Sequence, residues 1–183
     1  RLHRAYGAWI ASVCERGLGT ASAAAFEEAE PAGIEEFIEG LRESAPDSVE
    51  EIRSTSSGTI AELDTDGRRS CELRYDESAL LGTDCETVVV FDDEAPGRIT
   101  VYRTGPSGSA LCFDRYSPRM TSMYATPHGQ IALGIITHRV HNSLYELLDG
   151  GSRGEMVIDY TLEMGGAATE YSHMHLTAVE QND

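Results

Sequence analysis

The chain has 183 residues and a formal net charge of −17, and all 14 of its basic residues are arginine. That length suits one domain with a sizeable core. The acidity argues against DNA or RNA, whose phosphates are held by dense Lys/Arg neutralisation, and against an anionic membrane surface. No run approaches the ~18 apolar residues of a transmembrane helix.

The N-terminal run RLHRAYGAWIASVC sets basic residues ahead of an apolar stretch that is too short and too polar for a signal peptide. Four cysteines, Cys14, Cys71, Cys85 and Cys112, show no metal-ligand spacing and read as reduced, mostly buried thiols. The expected compartment is the cytoplasm, and no cofactor is expected. Residues 5–16 fit either a helix or an opening strand. Ser22 then caps a helical pattern, AAAFEEAEPAGIEEFIEGLRES, with Glu27 and Glu28 where negative charge favours the helix dipole. Pro31 and Gly33 divide it into two short helices. The second carries Ile34, Phe37, Ile38 and Leu41 on one face, at i, i+3, i+4 and i+7.

From Val49 the period changes to two. Candidate strands run over 49–55, 58–63, 69–77, 87–92, 98–104, 109–114, 120–126, 130–138, 140–147, 155–164 and 168–179. Turn signals separate them: Asp64-Thr65-Asp66-Gly67, Glu94-Ala95-Pro96-Gly97, Pro106-Ser107-Gly108, Pro127-His128-Gly129, Asp149-Gly150-Gly151 and Gly165-Gly166. About eight to ten strands, with no helix between them, predict an antiparallel meander that curls into a closed barrel. Residues 49–180 form that barrel, and residues 1–48 are a helical N-terminal extension or insertion packed on it.

The alternation sets the inward face. Cys71, Leu73 and Tyr75 share it and lead to Glu77. Ile99 and Val101 lead to Arg103, and Ile131, Leu133 and Ile135 lead to Thr137. Leu111 and Phe113, then Met156, Ile158, Tyr160 and Leu162, then Met174, Leu176 and Ala178 complete the stripes. If the polar ends Glu77, Arg103 and Thr137 meet, one region of the interior is polar.

Several landmarks in this order carry a resemblance. They are YDES (Tyr75, Glu77, Ser78) followed by Leu81-Gly82 and Thr87, then Arg103-Thr104-Gly105, then TSMYATPHG from Thr121 to Gly129. Thr137, Gly150-Gly151 and IDYTL from Ile158 to Leu162 follow. With them the chain from about residue 49 onward resembles the YwiB-like proteins, a bacterial family of unknown function. The resemblance implies a lipocalin-like, calycin-type β-barrel and no particular activity. The family opens with a strand shortly before the segment matching Val49. Here that strand falls around residues 8–14, with 18–47 as an insertion, or it is missing.

Tyr75, Glu77, Arg103, Tyr124, Thr126 and Tyr160 coincide with these landmarks, and most have inward phase. They form the candidate site for a small, partly apolar ligand. Arg103 holds an anionic group, Glu77 orients it, and the tyrosines supply apolar walls with polar tips. The same residues also suit a plain Glu77–Arg103 ion pair closing the barrel end. Two further readings stand beside ligand binding. In one, an enzyme uses Glu77 as acid/base and Arg103 as anion stabiliser. In the other, the acidic surface or the helical segment 22–44 meets a protein partner or a second copy of the chain. A cavity of several hundred Å³ reaching Arg103 separates the first two readings from the last.

Other motifs fall short of chemistry. His138-x-x-His141 and His173-x-His175 have metal-like spacing, but His173 and His175 alternate with apolar Met174 and Leu176, which puts them on the outer, solvated face. Gly17-x-Gly19-x-x-Ser22 lacks the third Gly and the βαβ context of a dinucleotide loop. Asp64-Thr65-Asp66-Gly67 is too short for a calcium loop. Gly105-Pro106-Ser107-Gly108-Ser109 is not a nucleophile elbow.

Overall fold

The computed structural model describes residues 2–18, 33–65, 67–78, 84–92, 94–105, 108–126 and 129–181; the first of the two expected helices lies outside these residues. The strands are β1 (Leu2–Leu18), β2 (Val49–Thr65), β3 (Arg68–Asp76), β4 (Glu86–Asp92), β5 (Arg98–Arg103), β6 (Ser109–Asp114), β7 (Arg119–Thr126), β8 (Gly129–Asn142), β9 (Arg153–Met164) and β10 (Ala167–Glu180). Each pairs antiparallel with its chain neighbour, and β1 pairs with both β2 and β10, so the sheet closes into a barrel.

The opening segment is therefore a strand. Ala8 and Ile10 are buried while Trp9 and Ala11 are exposed, a period of two that a helix would not produce. Its register runs from Ala8 opposite Glu180 to Leu18 opposite Glu170, and from Gly17 opposite Val49 down to Leu2 opposite Leu63. The barrel thus takes a strand from before residue 49. The N-terminal extension is not wholly helical: residues 2–18 belong to the wall, and the helix lies between β1 and β2.

Helix α1 (Ile34–Ser44) buries Ile34, Phe37, Ile38 and Leu41. That stripe meets Tyr171 on the outer face of β10, with the Phe37 and Tyr171 rings edge to face at 5.2 Å between centroids. Arg42 of α1 bonds Glu15 of β1, Glu51 of β2 and, on its own helix, Glu39. The helix is tied to the wall by an apolar stripe and by one branched cation.

Two strand boundaries differ from the sequence reading. The runs 49–55 and 58–63 are one strand. Gly58 marks a close approach within it: a Cβ there would stand 2.3 Å from the Arg74 carbonyl oxygen and 3.1 Å from Ile10. The runs 130–138 and 140–147 also join, but only to Asn142. A register shift between Thr137 and Arg139 restores inward phase at Val140. A 3-10 turn, Leu144–Leu147, then sends Leu144 and Leu147 into the core.

His173 is on the outer face, as its phase requires, but it is not solvated: it is only 7% exposed. Its Nδ1 lies 2.7 Å from Asp159 Oδ1, whose other oxygen accepts from Arg139 Nε at 2.7 Å. Arg139 also reaches Glu35 of α1 at 3.2 Å. The hydrogen bond to Asp159 raises the pKa of His173, with burial opposing it.

Two outcomes follow from this packing. Gly58→Ala has no room without a backbone shift and should cost about 1–3 kcal/mol, read as a lowered urea midpoint. For His173, the raised folded-state pKa means that its contribution to stability is fully present below the ordinary value of about 6.5 and is lost as pH rises through the elevated one. Asp159→Asn should therefore lower the melting temperature more at about pH 5.5 than at about pH 9. An equal drop at both would show that only the Arg139 contact matters.

Candidate functional site

Five neighbouring strands bring polar residues to one level of the barrel. Tyr75 registers with Thr87, Thr87 with Arg103, Arg103 with Ser109, and Ser109 with Tyr124. Paired residues on adjacent strands share a face, so the register lines up one inward row across β3 to β7. Glu77 follows just past the end of β3.

Glu77 is 4% exposed. Its Oε2 accepts from Thr87 Oγ1 at 2.6 Å and from Arg103 Nε at 3.1 Å. Its backbone N–H donates to the Cys85 carbonyl at 2.9 Å, so the carboxylate is held through main chain and side chain together. Burial works against the charge on Arg103. Glu77, then Tyr160 and Tyr75, more than offset this, and its pKa rises above the ordinary arginine value. Burial also lifts the Tyr75 hydroxyl well above the usual range, with Glu77 adding to the rise. Tyr160 is raised by burial first and by Cys14 and Glu170 next. Both phenols stay protonated at physiological pH and remain neutral polar tips on apolar rings.

Beside the Glu77–Arg103 pair lies a cavity of about 480 Å³. Tyr75, Glu77 and Arg103 form one wall; Cys14 and Arg16 of β1, Ile52 of β2 and Met174 of β10 line the rest. Among the described residues the buried apolar side chains form one continuous cluster inside the barrel, with the Phe113 and Tyr160 rings 4.8 Å apart. A wider depression of about 830 Å³ lies over strand ends nearby, but exposed Thr59, Arg74, Asp76 and Glu86 dominate its lining. Glu50, Glu51 and Arg53 on the smaller cavity are exposed as well, but it is the better site because it also holds the recessed Glu77, Arg103 and Arg16.

The structure brings Tyr75, Glu77 and Arg103 together. Tyr160 is buried behind them against Phe113. Tyr124 is half-buried opposite Ser109 and is not among the residues lining the cavity. Thr126 turns to its own hairpin, where its hydroxyl donates to the Gly129 carbonyl at 2.7 Å. Thr137 does not join the polar end. It lies well down β8, its hydroxyl accepting from the Asp114 N–H at 3.3 Å, while Asp114 pairs with Arg98 at the opposite end of β5 from Arg103.

Arg16, Cys14 and Ser109 escaped the sequence reading. The first two sit on β1, whose phase is defined only once that segment is a strand; Ala8, Ile10, Ser12, Cys14 and Arg16 then alternate inward. Burial raises the Cys14 thiol pKa, with Arg16 acting the other way. Among the described residues, no group of three or more His, Cys, Asp or Glu is placed to hold a metal ion. His175 Nε2 lies 3.3 Å from Glu155, and His138 Nε2 lies 2.8 Å from the Thr161 hydroxyl.

A closed antiparallel meander barrel with a charged, partly apolar cavity set into its wall is the class of protein these features define. The chain belongs to the DUF1934 family, a domain of unknown function whose family model matches residues 38–176. Among solved structures it is similar to the YwiB protein of Bacillus subtilis, at 13% identity and a TM-score of 0.63, over 99% of this chain and 96% of that one. That likeness is one of fold. No curated protein sequence matches.

The pair itself can be tested by a charge cycle. Arg103→Ala strands Glu77 as a buried, unpaired carboxylate and should cost about 3–5 kcal/mol. Glu77→Gln/Arg103→Gln removes both charges and should recover much of that loss, measured by urea unfolding. A double variant as unstable as the single one would assign the loss to packing of the arginine stem.

Proposed function

We propose that this protein binds a small, partly apolar ligand in the cavity beside Glu77 and Arg103, with Arg103 as its polar anchor. The observation that carries the reading is a recessed guanidinium on the wall of an open, half-apolar space. Its volume of about 480 Å³ falls within the range of small-molecule sites, ~300–1,000 Å³. Among the described residues Arg103 hydrogen-bonds only Glu77, through Nε. A guanidinium carries five N–H donors, so most of this one is free to meet a ligand. Tyr75, Ile52 and Met174 supply the apolar contact.

The enzyme reading is the weaker of the two. It would need Glu77 to exchange a proton, yet its Oε2 already accepts from both Thr87 and Arg103. That arrangement favours holding a group over turning it over. The four cysteines are all free thiols, which supports a reducing compartment such as the cytoplasm.

Native mass spectrometry of protein purified from its own cells provides the test. A ligand-bound species is expected for the natural sequence and not for Glu77→Gln/Arg103→Gln, which keeps the barrel but removes the anchor. The bare polypeptide mass from gently lysed cells would overturn the reading, as would an adduct that survives in the double variant.

A further inference from the structure

Arg16 is the loosely paired charge of the cavity, beside the Cys14 thiol. Its side chain is 25% exposed and lies 3.6 Å from Glu170 and 3.8 Å from Glu50, both beyond hydrogen-bond distance. Glu170 Oε1 also accepts from the Ser172 hydroxyl. The buried Nε of Arg16 has no hydrogen-bond partner, and an unmet buried donor is costly to keep. A second unmet group stands in the Arg103 row. Ser109, paired in register with Arg103, is 8% exposed and its buried hydroxyl also has no partner. Arg16 on β1 and Arg103 on β5 line the same cavity, and both act on the Cys14 thiol between those walls.

We propose that Arg16 and Arg103 together seat one monoanionic carboxylate, with the apolar remainder of the ligand against Ile52 and Met174. This rests on the cavity being a ligand site and names the class of ligand it takes. Ser109 does not line the cavity; the unmet groups that do, Arg16 Nε and the N–H groups of Arg103 beyond Nε, are donors, so the ligand must bring acceptors. A carboxylate has only acceptors, and its two oxygens suit two guanidinium forks. The charge count sets the limit. Three arginines (Arg16, Arg53, Arg103) face three glutamates (Glu50, Glu51, Glu77) around the cavity. Arg53 and Glu51 satisfy each other, which leaves two cations against Glu50 and Glu77, with Glu170 close by. The lining thus carries no surplus positive charge, so the ligand is held by unfilled N–H donors rather than by net attraction, and a dianionic phosphate would add a second charge against these carboxylates.

Two dyes with one ring system separate the parts of this proposal. Anilinonaphthalene sulfonate is a monoanion that stands in for the carboxylate, and phenylnaphthylamine is its uncharged twin. Both are followed by fluorescence with the intact chain. Arg16→Gln is the main variant because its ion pairs with Glu170 and Glu50, at 3.6 and 3.8 Å, are looser than the hydrogen-bonded Arg103–Glu77 pair. It should weaken the sulfonate by about tenfold, the size of one lost charge-assisted hydrogen bond, and leave the neutral dye within about twofold. Glu77→Gln/Arg103→Gln should do the same, and Arg119→Gln, at a residue outside the cavity lining, should not. Naphthoate should displace the sulfonate at lower concentration than naphthyl phosphate. Equal binding of the two dyes with no effect of Arg16→Gln would overturn the carboxylate seat while the ligand cavity stands. Better displacement by the phosphate would overturn the single-charge limit. Failure of both dyes to bind would overturn the cavity reading itself.

Discussion

Closure by β1 is the constraint on which the rest depends. Without it β2 and β10 would each present a long edge of unpaired backbone groups, a template for association with other chains. With it, two ladders run almost the whole length of one strand, Ala8 to Leu18 against β10 and down to Leu2 against β2. The same strand delivers Cys14 and Arg16 to the cavity opposite Arg103. Completion of the fold and completion of the site are thus one event. A chain lacking β1 would lose a wall of its cavity as well as its closure.

The charges divide along the same boundary. Most arginines lie on the outside in exposed pairs, such as Arg74 with Glu72 and Glu86 or Arg119 with Glu163, and exposed pairs of this kind contribute little each. Glu77 and Arg103 are different because the arginine is recessed along with its carboxylate, whereas Arg98 and Arg139 hold their buried carboxylates Asp114 and Asp159 from exposed positions. A buried pair is seldom worth more than apolar residues of the same shape, so stability alone is a poor reason to place it there. The cavity beside it is a better one. In a chain of net charge −17 a distant anion is repelled on average, and local attraction requires recessed cations shielded from the acidic exterior. Arg16 and Arg103 are the less exposed arginines of the cavity, at 25% and 28% against 67% for Arg53.

How much of this was legible in the residues depended on whether the cause was local. Strands β3 and β5 alternate sharply, in Cys71-x-Leu73-x-Tyr75 and Ile99-x-Val101-x-Arg103, so their faces and the pairing of Glu77 with Arg103 could be read directly. The stripe of α1 was legible for the same reason, at the helical period. Segment 5–16 was not, because Ala, Ser and Gly dilute its apolar positions and its strand state is imposed by two partners far away in sequence. Gly58 reads as a break, yet it is where backbone and side chain crowd too closely for a Cβ. The bulge near His138 cannot be seen in a pattern that assumes constant phase. The burial of His173 comes from what packs on the outer face, and alternation describes faces only, never what covers them.

The outer helix and the inner cavity are joined by a short chain of contacts. Arg42 of α1 bonds Glu15 on β1 and Glu51 on β2, and Glu51 lines the cavity one residue from Ile52. Glu15 lies between Cys14 and Arg16, the two β1 residues that line it. An outward residue and its inward neighbours share one pleated backbone, so movement at Glu15 carries to both. The helix is held on the other side by Ile34, Phe37, Ile38 and Leu41 against Tyr171, next to the Asp159–His173 pair. The insertion between β1 and β2 is therefore more than a tether. Its helix contacts the outside of β1 and β2, the two strands that supply Cys14, Arg16 and Ile52 to the cavity.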